Sequence, residues 1–236
     1  MTFNPIDTDI VIVATNYLFN SALEFENNEY FKEKSSKYEI TRITPNVVTN
    51  NVMFPVGVLQ QIMPIYDYST KDNIRISFSD IEKKISLFAN NTNKDFLAKL
   101  SQTSYDFIDL KISDINAIGI NFISKYNLGN KKLKILNGQI DKHITDFHKN
   151  IAFQVTIMLE SDGYKSTYKI RKISGGDNTG ENRIYQIDAN MHFEIKAGNT
   201  QEKIDYTKSI LDYLEEKYYQ AFICKCNQIL EMNDES

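Results

Sequence analysis

The sequence predicts an antiparallel α+β fold, on three observations. Three strand-like runs, Ile151–Glu160, Tyr164–Ile173 and Arg183–Ile195, follow one another. Only Ser161-Asp162-Gly163 and the loop Ser174-Gly175-Gly176-Asp177-Asn178-Thr179-Gly180 separate them, which reads as a β-meander. A second unit, Asn73–Asn91, reads as a hairpin: Ile74, Ile76 and Phe78 alternate with Arg75, Ser77 and Ser79, and the return run is Ile85–Ala89. Third, both sets of strands are followed by a helical pattern, over 93–109 and over 200–230.

In chain order, Ile10–Ala14 is a continuous apolar run, the pattern of a strand buried on both faces. Glu24–Lys37 is polar with interspersed aromatics and has no clear period, while Tyr38–Ile43 reads as a strand. Pro5, Pro45, Pro55 and Pro64 all fall in the first 64 residues, which predicts short strands and loops there. Asn93 is a candidate N-cap, with Asp95 in the first helical turn. Phe96, Leu97, Leu100, Ser104, Phe107 and Ile108 form that helix's apolar side. Ile115–Tyr126 then reads as a strand, Leu128-Gly129-Asn130 as a turn, Lys131–Leu136 as a short strand and Asn137–Lys149 as a helix.

In the terminal helix Thr200 is the candidate cap. Lys203 stands where a capping box would carry Glu, so the box is incomplete. Ile204, Thr207, Leu211, Leu214, Tyr218, Phe222 and Ile229 recur at helical spacing, and the tail from Asn233 to Ser236 should fray. With no low-complexity linker, residues 1–236 read as one unit, or as two packed halves, 1–130 and 131–236.

Composition narrows the function classes. With 42% hydrophobic and 25% charged residues the chain is an ordinary globular protein. A net charge of −4 and a pI near 5.5 lack the basic excess of a dedicated nucleic-acid binder. No basic region precedes Ile10–Ala14, and that run is too short to span a membrane. With only two cysteines, close together at Cys224 and Cys226, the expectation is a reduced cytoplasmic protein without membrane contact.

The motifs for chemistry are sparse. His143 and His148 are five apart, whereas two helical metal ligands need a spacing of four, and the third histidine is His192. Cys224 and Cys226 diverge by about 200° on a helix, with Phe222 taking the core side and at most one thiol half-buried. The glycine-rich loop lacks the G-K-[ST] ending of a phosphate cradle, and no G-x-S-x-G occurs. The expectation is no catalytic residue, metal or cofactor.

The strand Tyr164–Ile173 carries the binding candidates. Lys165, Lys169 and Arg171 share one face by the period of two, while Tyr168 stands on the opposite parity beside them. Such a row, with tyrosine nearby, suits an anion or a phosphate backbone; equally, lysines keep an edge strand from pairing. Tyr66, Tyr68, Tyr213, Tyr218 and Tyr219 are candidate interface residues.

The order of these elements resembles a sporadically distributed family of uncharacterised bacterial proteins. The likeness rests on the hairpin 74–89, the helix after it, the strand Ala117-Ile118-Gly119-Ile120-Asn121-Phe122, the strand from Ile184 to Met191, and Tyr219-Gln220-Ala221-Phe222. It covers roughly residues 70–230; the Asn-rich N-terminal stretch departs from the pattern. The resemblance implies an α+β fold and an accessory role in a bacterial or phage-related, defence-type system. It carries over no catalytic residue.

Three function classes follow. The leading expectation is a non-enzymatic cytoplasmic binding or assembly protein that pairs with a protein partner or with itself, through a sheet edge or the terminal helix. The second is a nucleic-acid or anion-binding accessory protein using the basic strand, the less favoured because of the acidic net charge. The third is a small enzyme whose site is assembled only by the fold, for which a cleft holding a histidine beside a carboxylate would be the sign.

Overall fold

The computed structural model describes residues 4–17, 26–43, 47–54, 57–64, 66–79, 82–128, 154–161, 163–174, 184–196 and 198–231. His143, His148, the strand expected at Lys131–Leu136, the helix expected at Asn137–Lys149, the glycine-rich loop and the tail lie outside them.

Nine strands form one antiparallel sheet: β1 (Asp7–Thr15), β2 (Thr41–Ile43), β5 (Tyr66–Ser69), β6 (Arg75–Ser79), β7 (Lys84–Ala89), β8 (Ala117–Asn127), β9 (Gln154–Ser161), β10 (Tyr164–Ser174) and β11 (Ile184–Glu194). Their spatial order is β2-β5-β6-β7-β1-β8-β11-β10-β9, and β3 (Val47–Phe54) and β4 (Gly57–Pro64) pair separately. The first strand therefore sits in the middle. β1 joins β7 on one side and β8 on the other, so the apolar run at Ile10–Ala14 welds the two groups of strands together.

Residues directly opposite one another share a face. One row runs Tyr68, Ile76, Leu87, Ile12, Ile120, Met191, Ser166, Leu159 across eight strands. This is the covered face; of these, Ile12, Ile76, Leu87, Ile120 and Met191 are fully buried. The opposite row runs Asp67, Ser77, Ser86, Val13, Gly119, His192, Lys165, Glu160. Val11 and Val13 of β1 lie on this second face and are half-buried, so β1 is not closed equally on both sides, contrary to the pattern of its sequence.

Helices α1 (Glu29–Tyr38), α2 (Lys94–Ile108), α3 (Thr200–Asp212) and α4 (Gln220–Glu231) supply the covering layer. Phe31 of α1 meets Tyr68 of β5 and Phe107 of α2 edge-on. At the other end Phe222 of α4 stacks on Phe122 of β8, with ring centroids 5.0 Å apart. Asn93 caps α2, its side chain accepting from the Asp95 N–H.

Two local expectations need correction. The polar stretch before Tyr38 is helical and only Thr41–Ile43 is strand, because Asn28 caps α1 by accepting from the N–H groups of Tyr30 and Phe31. Glu39, at φ 48°, ends that helix in the left-handed region. The cap of α3 is Asn199 rather than Thr200, which moves Glu202 into the third position. The capping box is then complete: Asn199 Oδ1 accepts from the Glu202 N–H and Glu202 Oε2 from the Asn199 N–H. Gly198 makes room for it, since a Cβ there would approach Glu202 Oε2 to 2.5 Å.

The terminal helix is interrupted by a π-helical turn, Leu214–Tyr219, where the Tyr218 N–H donates to the Tyr213 carbonyl five residues back. The buried residues Leu214, Tyr218, Phe222 and Cys226 explain it. Spacings of four drift by about 40° per step on a 3.6-residue helix, and one wide turn absorbs the drift. The Ser101 hydroxyl of α2 donates to the Leu211 carbonyl just before the turn, at 2.8 Å.

A charged sheet face and the cleft at its corner

Lys165, Lys169 and Arg171 lie together on the uncovered face of β10, as their parity requires. Their surroundings are acidic. Lys165 stands between Glu160 on β9 and His192 on β11, with its ammonium 3.9 Å from Glu194. Lys169 faces Asp188 directly, and Arg171 Nη2 is 3.3 Å from the Asp188 carboxylate. Gln186 donates to the same carboxylate at 2.6 Å. A cation row so closely matched by carboxylates has little net field left to attract a phosphate chain. The ion pairs themselves are exposed, and each stabilises by less than about 1 kcal/mol.

Tyr168 is not with them. It lies opposite Ala189 and Ile157, only 3% exposed, on the covered face. Burial raises its phenol well above the ordinary range. The sheet itself separates it from the three cations, so it cannot touch a ligand they hold. Tyr68 and Tyr218, expected at an interface, are likewise core residues, because both sit where helix and sheet meet. Tyr213 is half exposed, and Tyr219 packs against Phe122.

At the corner of the sheet, where β9, β10 and β11 meet the start of α3, is a cleft of about 550 Å³. Its walls include Glu160, Lys165, His192, Glu194, Lys196 and Tyr206. Each arrives by a different local rule. Gly163, at φ +87°, turns β9 into β10 and brings Glu160 beside Lys165. His192 and Glu194 are two apart on β11 and so share a face. The capping box fixes where α3 starts, and Tyr206, nearly two turns on from the cap, donates to the Gly163 carbonyl at 3.4 Å. Lys203 anchors the same helix by donating to the Ser113 carbonyl at 2.7 Å. A shallower extension of about 390 Å³ continues past His192 to Thr15 and Asn116.

The sequence pointed to the cations of this corner but not to the cleft. His192, Glu194 and Lys196 follow one another at the period of two, whereas Glu160 comes from another strand, and only register brings it beside them. The one legible signal was the alternation that places His192 and Glu194 on one side of β11.

Other ionisable groups serve packing. Asp106 of α2, 5% exposed, accepts from Lys37 and Tyr38 of α1 at 2.7 Å each and from Gln102 at 3.0 Å, with Lys34 3.5 Å away. Burial alone would raise its carboxyl; the hydrogen bonds from Lys37 and Tyr38 and the two ammonium charges outweigh that and hold it below the usual value. Cys226 is fully buried, not half-buried, since the π turn rotates it toward the sheet. Burial pushes its thiol up to about 12, whereas Cys224 is exposed. Such a buried thiol is inert as a nucleophile. Among the described residues no three His, Cys, Asp or Glu side chains are grouped to hold a metal ion.

Compared with known proteins, the chain matches no family model and no curated protein.

Proposed function

We propose that this is a non-enzymatic cytoplasmic binding and assembly protein in which a second copy of the chain pairs along β9. The observation that carries the reading is the contrast between the sheet's two edges. β2 offers three residues, all exposed. β9 offers eight, and among the described strands it pairs with β10 alone. Natural edges are usually blunted by charge, proline or shortness. β9 instead presents Met158 with 80% of its surface exposed, between half-buried Ile157 and Leu159. Pairing of two such edges would continue the sheet, satisfy the free backbone groups of β9 and set cross-strand neighbours beside Met158.

No helix of the described residues is long and apolar enough to cross a membrane, which fits this reading. The accessory, defence-type role implied by the family resemblance belongs to the same proposal. A second reading, chemistry or ligand capture at the corner cleft, is favoured by His192 and Glu194 lining one wall.

Light scattering across a concentration series tests the edge pairing. The expected result is twice the chain mass for the native protein and a monomer for Met158→Lys, since an edge lysine opposes pairing. A native monomer at every concentration overturns it, as does a Met158→Lys variant that stays dimeric.

A further inference from the structure

We propose that the corner cleft is a binding site for a small zwitterion of the amino-acid or short-peptide class, its ammonium held by Glu160 and its carboxylate by Lys196. The inference rests on the ligand-capture reading of the cleft; its Glu160 stands on β9, the strand of the proposed pairing.

Several groups of the cleft are already engaged. Glu202 is committed to the Asn199 N–H of the capping box, and Lys203 to the Ser113 and Ile115 carbonyls. Lys165 and Glu194 satisfy one another loosely at 3.9 Å. Glu160, His192 and Lys196 remain, none with an ion pair or side-chain hydrogen bond to the described residues. Three polar groups of different kinds thus converge on one concavity with their bonding capacity unspent. Ligand sites are commonly built this way, with a few convergent polar groups in a volume of about 300–1,000 Å³.

The charges decide the ligand class. A nucleotide or other polyanion would meet Glu160 and Glu194 and be repelled, and a simple amine would leave Lys196 without a partner. A molecule bearing one group of each sign satisfies both. Glu160 and His192 are two strands apart, about 10 Å between backbones. Lys196 follows β11 by two residues, so the opposed charges lie on different sides of the cleft. The ring of Tyr206, on the wall of the cleft, supplies an apolar surface for a side chain. The exposed imidazole of His192 lies between the charged groups, within reach of a peptide or carboxylate oxygen.

The probes are glycyl-tyrosine, its N-acetylated form, its C-amidated form and free tyrosine, each titrated into the native protein with ligand-observed NMR and calorimetry. The free dipeptide is expected to bind, and each blocked form to bind at least about tenfold more weakly. Glu160→Gln should erase the difference between free and N-acetylated dipeptide. Lys196→Gln should erase that between free and amidated dipeptide. Tyrosine binding as well as the dipeptide assigns the site to amino acids; weaker tyrosine binding assigns it to peptides. Both replaced side chains are exposed, and matching thermal melts will show that the variants fold. Absence of binding by all four probes overturns the proposal, as does equal binding of free and blocked forms, or binding indifferent to both substitutions. Binding is read at protein concentrations below and above any dimerisation seen in scattering; equal affinity at both separates this result from the outcome on self-association.

Discussion

The two faces of the nine-stranded sheet come from the same strands and behave as different materials. On β8, Phe122 is fully buried under Phe222 and Tyr219, while its neighbour Ile123 is half-buried on the other side. On β10, Tyr168 and Ile170 are core residues and Lys169 between them faces water. The helical layer makes the difference. Where helices cover the sheet, aromatic rings set its stability; where they do not, charges of both signs are laid out with little effect on the fold, leaving that face available for recognition.

The largest expected effect comes from opening the covered face. Phe122→Ala should cost about 4 kcal/mol in chemical denaturation, as lost transfer energy plus the cavity left between β8 and α4. Ile123→Ala, one residue on, should cost about 1.5 kcal/mol, because its methyls are partly hydrated already. Equal costs would mean that the second face is covered as tightly as the first.

The next test concerns the layer itself. Asp106→Asn removes the charge that ties α1 to α2 and should destabilise by about 3 kcal/mol at neutral pH. The sign of its pH dependence is set by its lowered carboxyl. That stabilisation is complete above the unfolded carboxylate value of about 4 and is lost as pH falls through the folded one. Asp109 has the opposite sign. Burial, and then the Asp106 charge, raise its carboxyl, so the folded state gains a proton first on acidification. The native protein should therefore lose stability late in an acid titration, and the Asp106→Asn protein should show a flatter limb below about pH 4.

The smallest effect belongs to the charged face. Lys169→Glu should change stability by no more than about 0.5 kcal/mol, although it places a second carboxylate opposite Asp188. A larger loss in thermal melts would show that this face also supports the fold.

The same contrast explains what could be read without a structure. The strands around Ile74–Phe78, Ala117–Phe122 and Tyr164–Ile170 were legible because alternation is a local property, and the parity of Lys165, Lys169 and Arg171 came with it. Asn93 was legible as a cap because the signal lies within one turn. The helix before Tyr38 was not, since its period is carried by only two buried aromatics, Phe31 and Tyr38. Nor was the central position of β1, which depends on partners 69 to 118 residues away, as in the pairings of Thr15 with Lys84 and of Asp7 with Lys125. The cleft failed for the same reason: His192, Glu194 and Lys196 alternate along one segment, but Glu160 joins them only through register with β10 and β11. Tyr168 shows the converse error, in which nearness along a strand was taken for nearness in space.

The wide turn at Leu214–Tyr219 has a consequence for how this chain can vary. It stores one surplus residue in the middle of the terminal helix, with the Ser101 hydroxyl covering a carbonyl beside it. The helix can therefore differ in length by a residue at that spot while its two halves keep their seats on the sheet. Phe222, Cys226, Ile229 and Leu230 stay inward because the extra residue is spent sideways, within the coil, and not passed along to the helix end.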